Sequence, residues 1–426
     1  MVAKELSTHL TDTERYVARL NPSIPRLASG TAPRIQGIMR QPCHPAPAIL
    51  HVEIHQSPRG YLLLMLSLQS STTAMAQTKI VVDILENLLP TPLLEILLQD
   101  HTTEENIFWA CNDYEELGSG YSFSDPITLD AIRGEHGRVI MPRVMKHRDL
   151  KRRRTKEKAE IFTPAWVCNL QCNCGDDGYL AEGVSFNYNL DAEGREWEAT
   201  TEPIRFAEGV TWQDYILRTC MEITCGEAPY LASRYDAVTG EPIPIYKRIG
   251  LLDRKLRVVG ENVSDRADWL VWVVKSFQSV YGYEWQGDNI LLARENMLYT
   301  FIEYYRDRWG EEPTLEEQTE IAEVVAWNIF QMDGLKFVIP NSCHEEVQHS
   351  GLFEADVKRV PCPGCKKNDP LLHNGIYAKI RDWQQDGVLH LIDVYRQGKA
   401  RNEREAMEAK KAEAEQRQSK QRKKKQ

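Results

Sequence analysis

Apolar positions recur at helical spacing in several separate stretches. In "KIVVDILENLLPTPLLEILLQ", Val81, Ile84, Leu85 and Leu88 fall on one helical face. Leu93, Leu94 and Leu97 do the same beyond Pro90. A proline inside such a run removes a backbone donor, so the pattern predicts two short amphipathic helices broken at Pro90. Thr211 is placed to cap a helix that presents Trp212, Tyr215 and Ile216 on one side. Cys220 to Thr224 then alternates as a short strand, and Cys225-Gly226 forms the turn after it. Further on, Thr314 and Glu317 make a capping box for a helix carrying Ile321, Val324 and Val325. Asn328 to Met332 reads as a second strand, with Asp333-Gly334 at its carboxyl end. Between these lie Leu291, Leu298, Phe301, Ile302, Tyr305 and Trp309, at the spacing of a core helix rather than of a base-stacking stripe. Tyr283, Trp285 and Asp288 just before them are candidates for a pocket wall. Helices alternating with short strands predict an α/β fold.

The flanks differ in character. Residues 1–75 are rich in proline and small residues, with weak periodicity, and are expected to be a poorly ordered leader, with translation beginning near Met75. Tyr61 to Ala76 has the composition of a signal peptide but lies far from the N-terminus. Residues 76–158 read as a helical and basic part, 159–340 as the α/β domain, 341–395 as a cysteine-rich module and 396–426 as a charged tail. That tail has no apolar stripe, which fits an exposed helix or a disordered end.

Composition narrows the functions. The 426 residues carry a net charge of −10, so nucleic-acid contact would need a local basic patch. "KHRDLKRRRTKEK" supplies one, through Lys146, Arg148, Lys151, Arg152, Arg153 and Arg154. It is either a solvated helix face or a phosphate-contacting surface. No apolar run is long enough to span a bilayer. The 10 cysteines are unevenly scattered in a long chain, which points to free or metal-bound thiols in a reducing cytoplasm.

Two cysteine groups have ligand spacing. Cys362 and Cys365 in "PCPGC" form a knuckle, and Cys343 and His373 could complete a tetrahedron around a structural zinc; the alternative is a loop of unmetallated thiols. "VCNLQCNCG" (Val167 to Gly175) is a second group without a matching partner.

Cys225-Gly226 after a strand is either a structural turn or a cofactor loop, because ligands bind beyond strand carboxyl ends where glycine admits a close approach. Phe162-Thr163-Pro164, Glu222-x-x-Cys225-Gly226-x-x-x-Tyr230-Leu231 and Asn328-Ile329-Phe330-x-x-Asp333 stand in the order of the motifs of N6-adenine DNA methyltransferases. From Glu105 onward the chain resembles bacterial proteins described as restriction endonuclease subunit M. "ENIFWACNDYEEL", "GEAPYLASRYD", "GLLDRKLRVVGEN", "YEWQGDNILLAREN" and "WNIFQMDGLK" carry that likeness, over about two-thirds of the chain.

The resemblance implies a Rossmann-like, S-adenosylmethionine-dependent methyltransferase domain of a restriction-modification system, acting on double-stranded DNA. It implies that Phe162, Thr163, Pro164, Glu222, Cys225 and Gly226 surround the methionine portion and that Asp333 holds the ribose. Ala228 stands where the family has a second glycine. The family's Asn/Asp-Pro-Pro-Tyr/Phe catalytic motif is missing: there is no Pro-Pro dipeptide, and "KNDPLLHN" lacks both the second proline and the aromatic. Catalytic residues are therefore unassigned. The chain is expected to be a modification subunit completed by a partner chain, or else a non-catalytic DNA- or partner-binding module with a degenerate methyltransferase fold.

Overall fold

The computed structural model describes residues 51–56, 62–67, 89–158, 160–349 and 357–424. The proposed helix from Val81 to Leu88 and the start near Met75 lie outside them. Contacts divide the chain into residues 48–396 and a second unit, residues 1–47 with 397–426. Of the second unit, the described part is helical from 397 to 424.

In residues 48–396 the strands β1 (His51–Gln56) and β2 (Leu62–Ser67) pair antiparallel. Helix α1 (Thr91–Leu98) starts directly after Pro90. A mostly irregular stretch leads to α2 (Arg148–Lys158) and α3 (Ala165–Gly175). Helix α4 (Trp212–Leu217) begins at a reciprocal capping box: the Asp214 amide donates to Thr211 Oγ1 at 3.1 Å, and the Thr211 amide donates to Asp214 Oδ2 at 2.8 Å. Then come β3 (Cys220–Ile223), α5 (Leu251–Asn262), α6 (Arg266–Gln278), β4 (Val280–Glu284), α7 (Gly287–Trp309), α8 (Leu315–Asn328) and β5 (Ile329–Gln331). The Thr314–Glu317 box caps α8, and Gly310, at φ 70°, ends α7.

The sheet order is β1-β2-β3-β4-β5. The pairs β2–β3, β3–β4 and β4–β5 are parallel, so the carboxyl ends of β3, β4 and β5 share one edge. Helical crossovers join them, as parallel strands require. The fold is thus mixed α/β. The described strands follow chain order, without the reversal that marks the crevice of a doubly wound sheet.

Helix α7 is the centre of the core. Leu291, Leu298, Phe301 and Tyr305 are buried, and so are Asp288, Arg294 and Thr300. Arg294 makes burial of a charge workable by donating to the carbonyls of Leu97, Gln99, Ala326 and Ile329. Those acceptors lie at the ends of α1 and α8, where carbonyls lack helical partners. One guanidinium thereby ties three helices together.

Beyond β5 the chain forms two antiparallel pairs: β6 (Glu346–His349) with β7 (Val357–Val360), and β8 (Lys379–Asp382) with β9 (Gly387–His390). The short helix α9 (Pro363–Lys367) lies between the pairs, and α10 (Leu391–Lys424) follows them. No helix among the described residues is long and apolar enough to cross a membrane.

Candidate functional site

Strand β3 ends in a loop of unusual backbone. Thr224, Gly226 and Ala228 all have positive φ, at 47°, 54° and 61°. An L-residue in that region costs about 1–2 kcal/mol, so Thr224 and Ala228 are held there by their surroundings. The Cys225 amide donates to Tyr283 O at 2.9 Å, and the Gly226 amide donates to Glu284 Oε2 at 3.0 Å. The Leu231 amide donates to Glu222 Oε2 at 3.2 Å. Glu222 therefore braces the loop from within.

The structure brings the Phe-Thr-Pro segment onto this loop. A β-carbon added at Gly226 would lie 3.2 Å from the Phe162 ring. Thr163 is buried, and Pro164 caps α3, whose Ala165 amide donates to Asp236 Oδ2 at 2.7 Å. The buried Cys225 side chain packs on β4: its sulfur would be 3.1 Å from a β-carbon at Gly282.

Asp333 lies at the shared carboxyl edge, just past β5, but its carboxylate serves its own turn. Oδ1 accepts from the amides of Leu335 and Lys336 at 3.0 and 3.3 Å, and Oδ2 pairs with Lys336 Nζ at 3.2 Å. The acid that accepts from the Gly226 amide is Glu284, which the sequence reading missed. The usable signal was an acid closing the strand one crossover after the Cys-Gly turn. It was hidden because all of Val280–Glu284 is buried, leaving no alternation to read.

Burial pushes the carboxyls of Glu222, Glu284 and Glu227 above their ordinary range. Backbone N–H donors only partly offset this: Tyr230 and Leu231 for Glu222, Gly226 and Gln286 for Glu284.

The basic block needs correction. Lys146 and Arg154 are buried, not surface cations. Lys146 Nζ pairs with Asp288 at 3.0 Å. Arg154 pairs with Asp113 at 2.7 Å, Glu160 at 2.9 Å and Asp288 at 2.6 Å. A guanidinium can be buried when its donors meet carboxylates, and these are spent on the fold. Lys151 is half-buried and donates to Val144 O. Arg148, Arg152 and Arg153 are exposed, although Arg153 also pairs with Asp113 at 2.9 Å.

Cys343, Cys362, Cys365 and His373 converge: their ligand atoms all lie within 4.8 Å of one another, a group that could hold a metal such as zinc. "VCNLQCNCG" forms α3 instead, where Cys168 and Cys172 face the core and Cys174 is exposed. The "KNDPLLHN" stretch belongs to the metal-ligand module, since it delivers His373, and its Asp369 caps the turn before that residue. No family model, curated protein or solved structure matches the chain.

Proposed function

We propose that this chain binds S-adenosylmethionine at the carboxyl edge of β3, β4 and β5, and acts as the cofactor-binding modification subunit of a DNA adenine methylation system. The observation that carries the reading is the contact between the Gly226 amide and Glu284 across a loop held at positive φ. Nucleoside cofactors favour this combination of a glycine turn after one strand and an acid at the end of its neighbour, where a carboxylate can accept from a ribose diol. In this reading Glu284 replaces Asp333 as the ribose acid. Phe162 covers Gly226, so a bound ligand displaces or stacks on that ring.

The chain has no recognisable clamp for an adenine amino group. That group is a weak nucleophile that must be held by polar acceptors while an aromatic face retains the flipped base. A partner chain supplies these elements in the proposed assembly. The second reading, a degenerate methyltransferase fold that binds DNA or a partner without catalysis, is favoured by one feature: both candidate ribose acids already accept from backbone amides, Asp333 in its own turn and Glu284 from Gly226 and Gln286.

Ultraviolet cross-linking with methyl-labelled S-adenosylmethionine tests the assignment. The chain should take up label that S-adenosylhomocysteine competes away and ATP does not. Absence of specific labelling overturns cofactor binding, and robust methyl transfer to adenine by the chain alone overturns the need for a partner.

A further inference from the structure

Three thiols and an imidazole meet at the foot of the first of the two C-terminal antiparallel pairs. Hairpin β6–β7 leads out from Cys343 and returns to Cys362, pairing Glu346 with Val360. Two glycines let the remaining pieces approach: a β-carbon at Gly364 would sit 2.6 Å from the His373 ring, and one at Gly375 would sit 2.6 Å from Ser342 Oγ. His373 Nδ1 lies 3.4 Å from the sulfur of Cys343, 3.5 Å from that of Cys362 and 3.7 Å from that of Cys365. Tetrahedral zinc with Zn–S of about 2.3 Å and Zn–N of about 2.0 Å has an S···N edge of about 3.5 Å. The three separations cluster on that edge. Val347, Leu372 and Ile376 are exposed, so around the four ligands themselves apolar burial is slight, while Val338, Ile339 and Ala378 are buried farther along the ladder.

We infer that Cys343, Cys362, Cys365 and His373 bind one zinc ion in a closed, non-catalytic site, and that the ion fixes the turn carrying Asp333 at the carboxyl edge of the sheet. Three thiolates and an imidazole in a tetrahedron suit zinc, and four protein ligands leave no position for substrate. The connection to the sheet is short. The His373 amide donates to the Tyr377 hydroxyl at 3.0 Å, and that hydroxyl donates to Pro370 O at 2.9 Å. The Ile376 amide donates to Ser342 Oγ at 3.0 Å, beside Cys343. Segment 376–378 then pairs with the chain after β5: Ile339 N to Ile376 O at 2.8 Å and Ala378 N to Phe337 O at 3.0 Å. The Asp333 amide closes the turn by donating to Val338 O at 2.7 Å. Metal binding and local folding are coupled in such modules, so the ion holds this ladder in place. The inference does not depend on cofactor binding at β3.

The test uses the full chain, purified without chelator. Elemental analysis should find about one zinc per chain, as a single closed site requires. Cobalt replacement should give the intense visible bands of a tetrahedral, thiolate-rich site. Cys362→Ser and His373→Ala should lose the metal, while Cys174→Ser, which alters an exposed thiol outside the cluster, should keep it. Stripping zinc from the wild-type protein should accelerate amide exchange in 333–342 and leave 251–278 unchanged. Absence of zinc and of a tetrahedral cobalt spectrum overturns the site. Metal loss without faster exchange in 333–342 overturns its hold on the Asp333 turn.

Discussion

Glu284 and Asp288 are buried acids on either side of the junction between β4 and α7, and their surroundings are opposite. Asp288 accepts from Arg154, Lys146 and Tyr114. Burial alone would raise its carboxyl, but the two cations outweigh burial and hold it well below the ordinary range. Glu284 meets backbone amides instead, and burial raises it. The first acid is the hub of a completed ion network that fastens α2 and the Asp113 loop to α7. The second is a carboxylate with weaker compensation, facing a loop in strained backbone. Buried charge with full partners is architecture. A carboxyl that burial raises despite its amide donors, beside positive-φ residues, is the better guide to a ligand.

Removing the Asp288 hub should cost the most. Asp288→Ala leaves Arg154 and Lys146 buried without their shared partner and should cost about 3–5 kcal/mol, read as a lower urea midpoint. A loss below about 1 kcal/mol would mean that water reaches the network and relieves the stranded cations.

The loop gives a smaller effect. Gly226→Ala places a side chain at φ 54°, against the Phe162 ring, and should destabilise by about 1–2 kcal/mol. Ala228→Gly, at φ 61°, should be neutral or stabilise by up to about 1 kcal/mol, because glycine relieves the strain while adding unfolded-state entropy. A destabilising Ala228→Gly would show that the methyl group is needed for core contacts.

The two acids also predict opposite pH dependence. The folded-state value of Asp288 is depressed from 3.8, so its stabilisation is present above that value and is lost as pH falls through the lower folded value. Glu284 is raised from 4.5, so its contribution is present below that value and is lost as pH rises through the higher folded one. Glu284→Gln should therefore flatten the fall in stability as pH rises above 4.5 and leave the limb set by Asp288 unchanged. Chemical denaturation across pH measures both limbs.

The smallest effect concerns the outer face of α2. Replacing Arg148, Arg152 and Arg153 with glutamine should leave stability nearly unchanged. If this face contacts phosphate, the slope of log affinity for duplex DNA against log salt should fall by about 2–3, near one unit per lost contact. Unchanged DNA binding would leave α2 as a structural helix with a solvated side.

Elements with strong local signals were legible in the sequence. The capping boxes at Thr211 and Thr314, the strands after them and the core stripe of α7 stand where their patterns predict. So does the convergence of Cys343, Cys362, Cys365 and His373, because the short Cys-Pro-Gly-Cys turn constrains its own geometry. The inward turn of Lys146 and Arg154 was not legible. Their partners, Asp113, Glu160 and Asp288, are dispersed along the chain, and a charge run looks the same whether it faces water or buried carboxylates. Glu284 was obscured for a related reason: a strand buried on both faces shows no alternation, so its terminal acid looked like any other. Asp333 drew attention through its Asp-Gly turn, which is also what engages its carboxylate locally.

Isothermal titration of S-adenosylmethionine into the wild-type chain, Glu284→Gln and Asp333→Asn distinguishes the two acids as cofactor ligands. Wild type should bind saturably, and Glu284→Gln should lose about 10–100-fold, the worth of about 1.5–3 kcal/mol for a hydrogen bond to a charged group. Asp333→Asn should lose much less. No binding by wild type, or a loss confined to Asp333→Asn, would contradict the placement of the cofactor against Glu284 and the Gly226 loop.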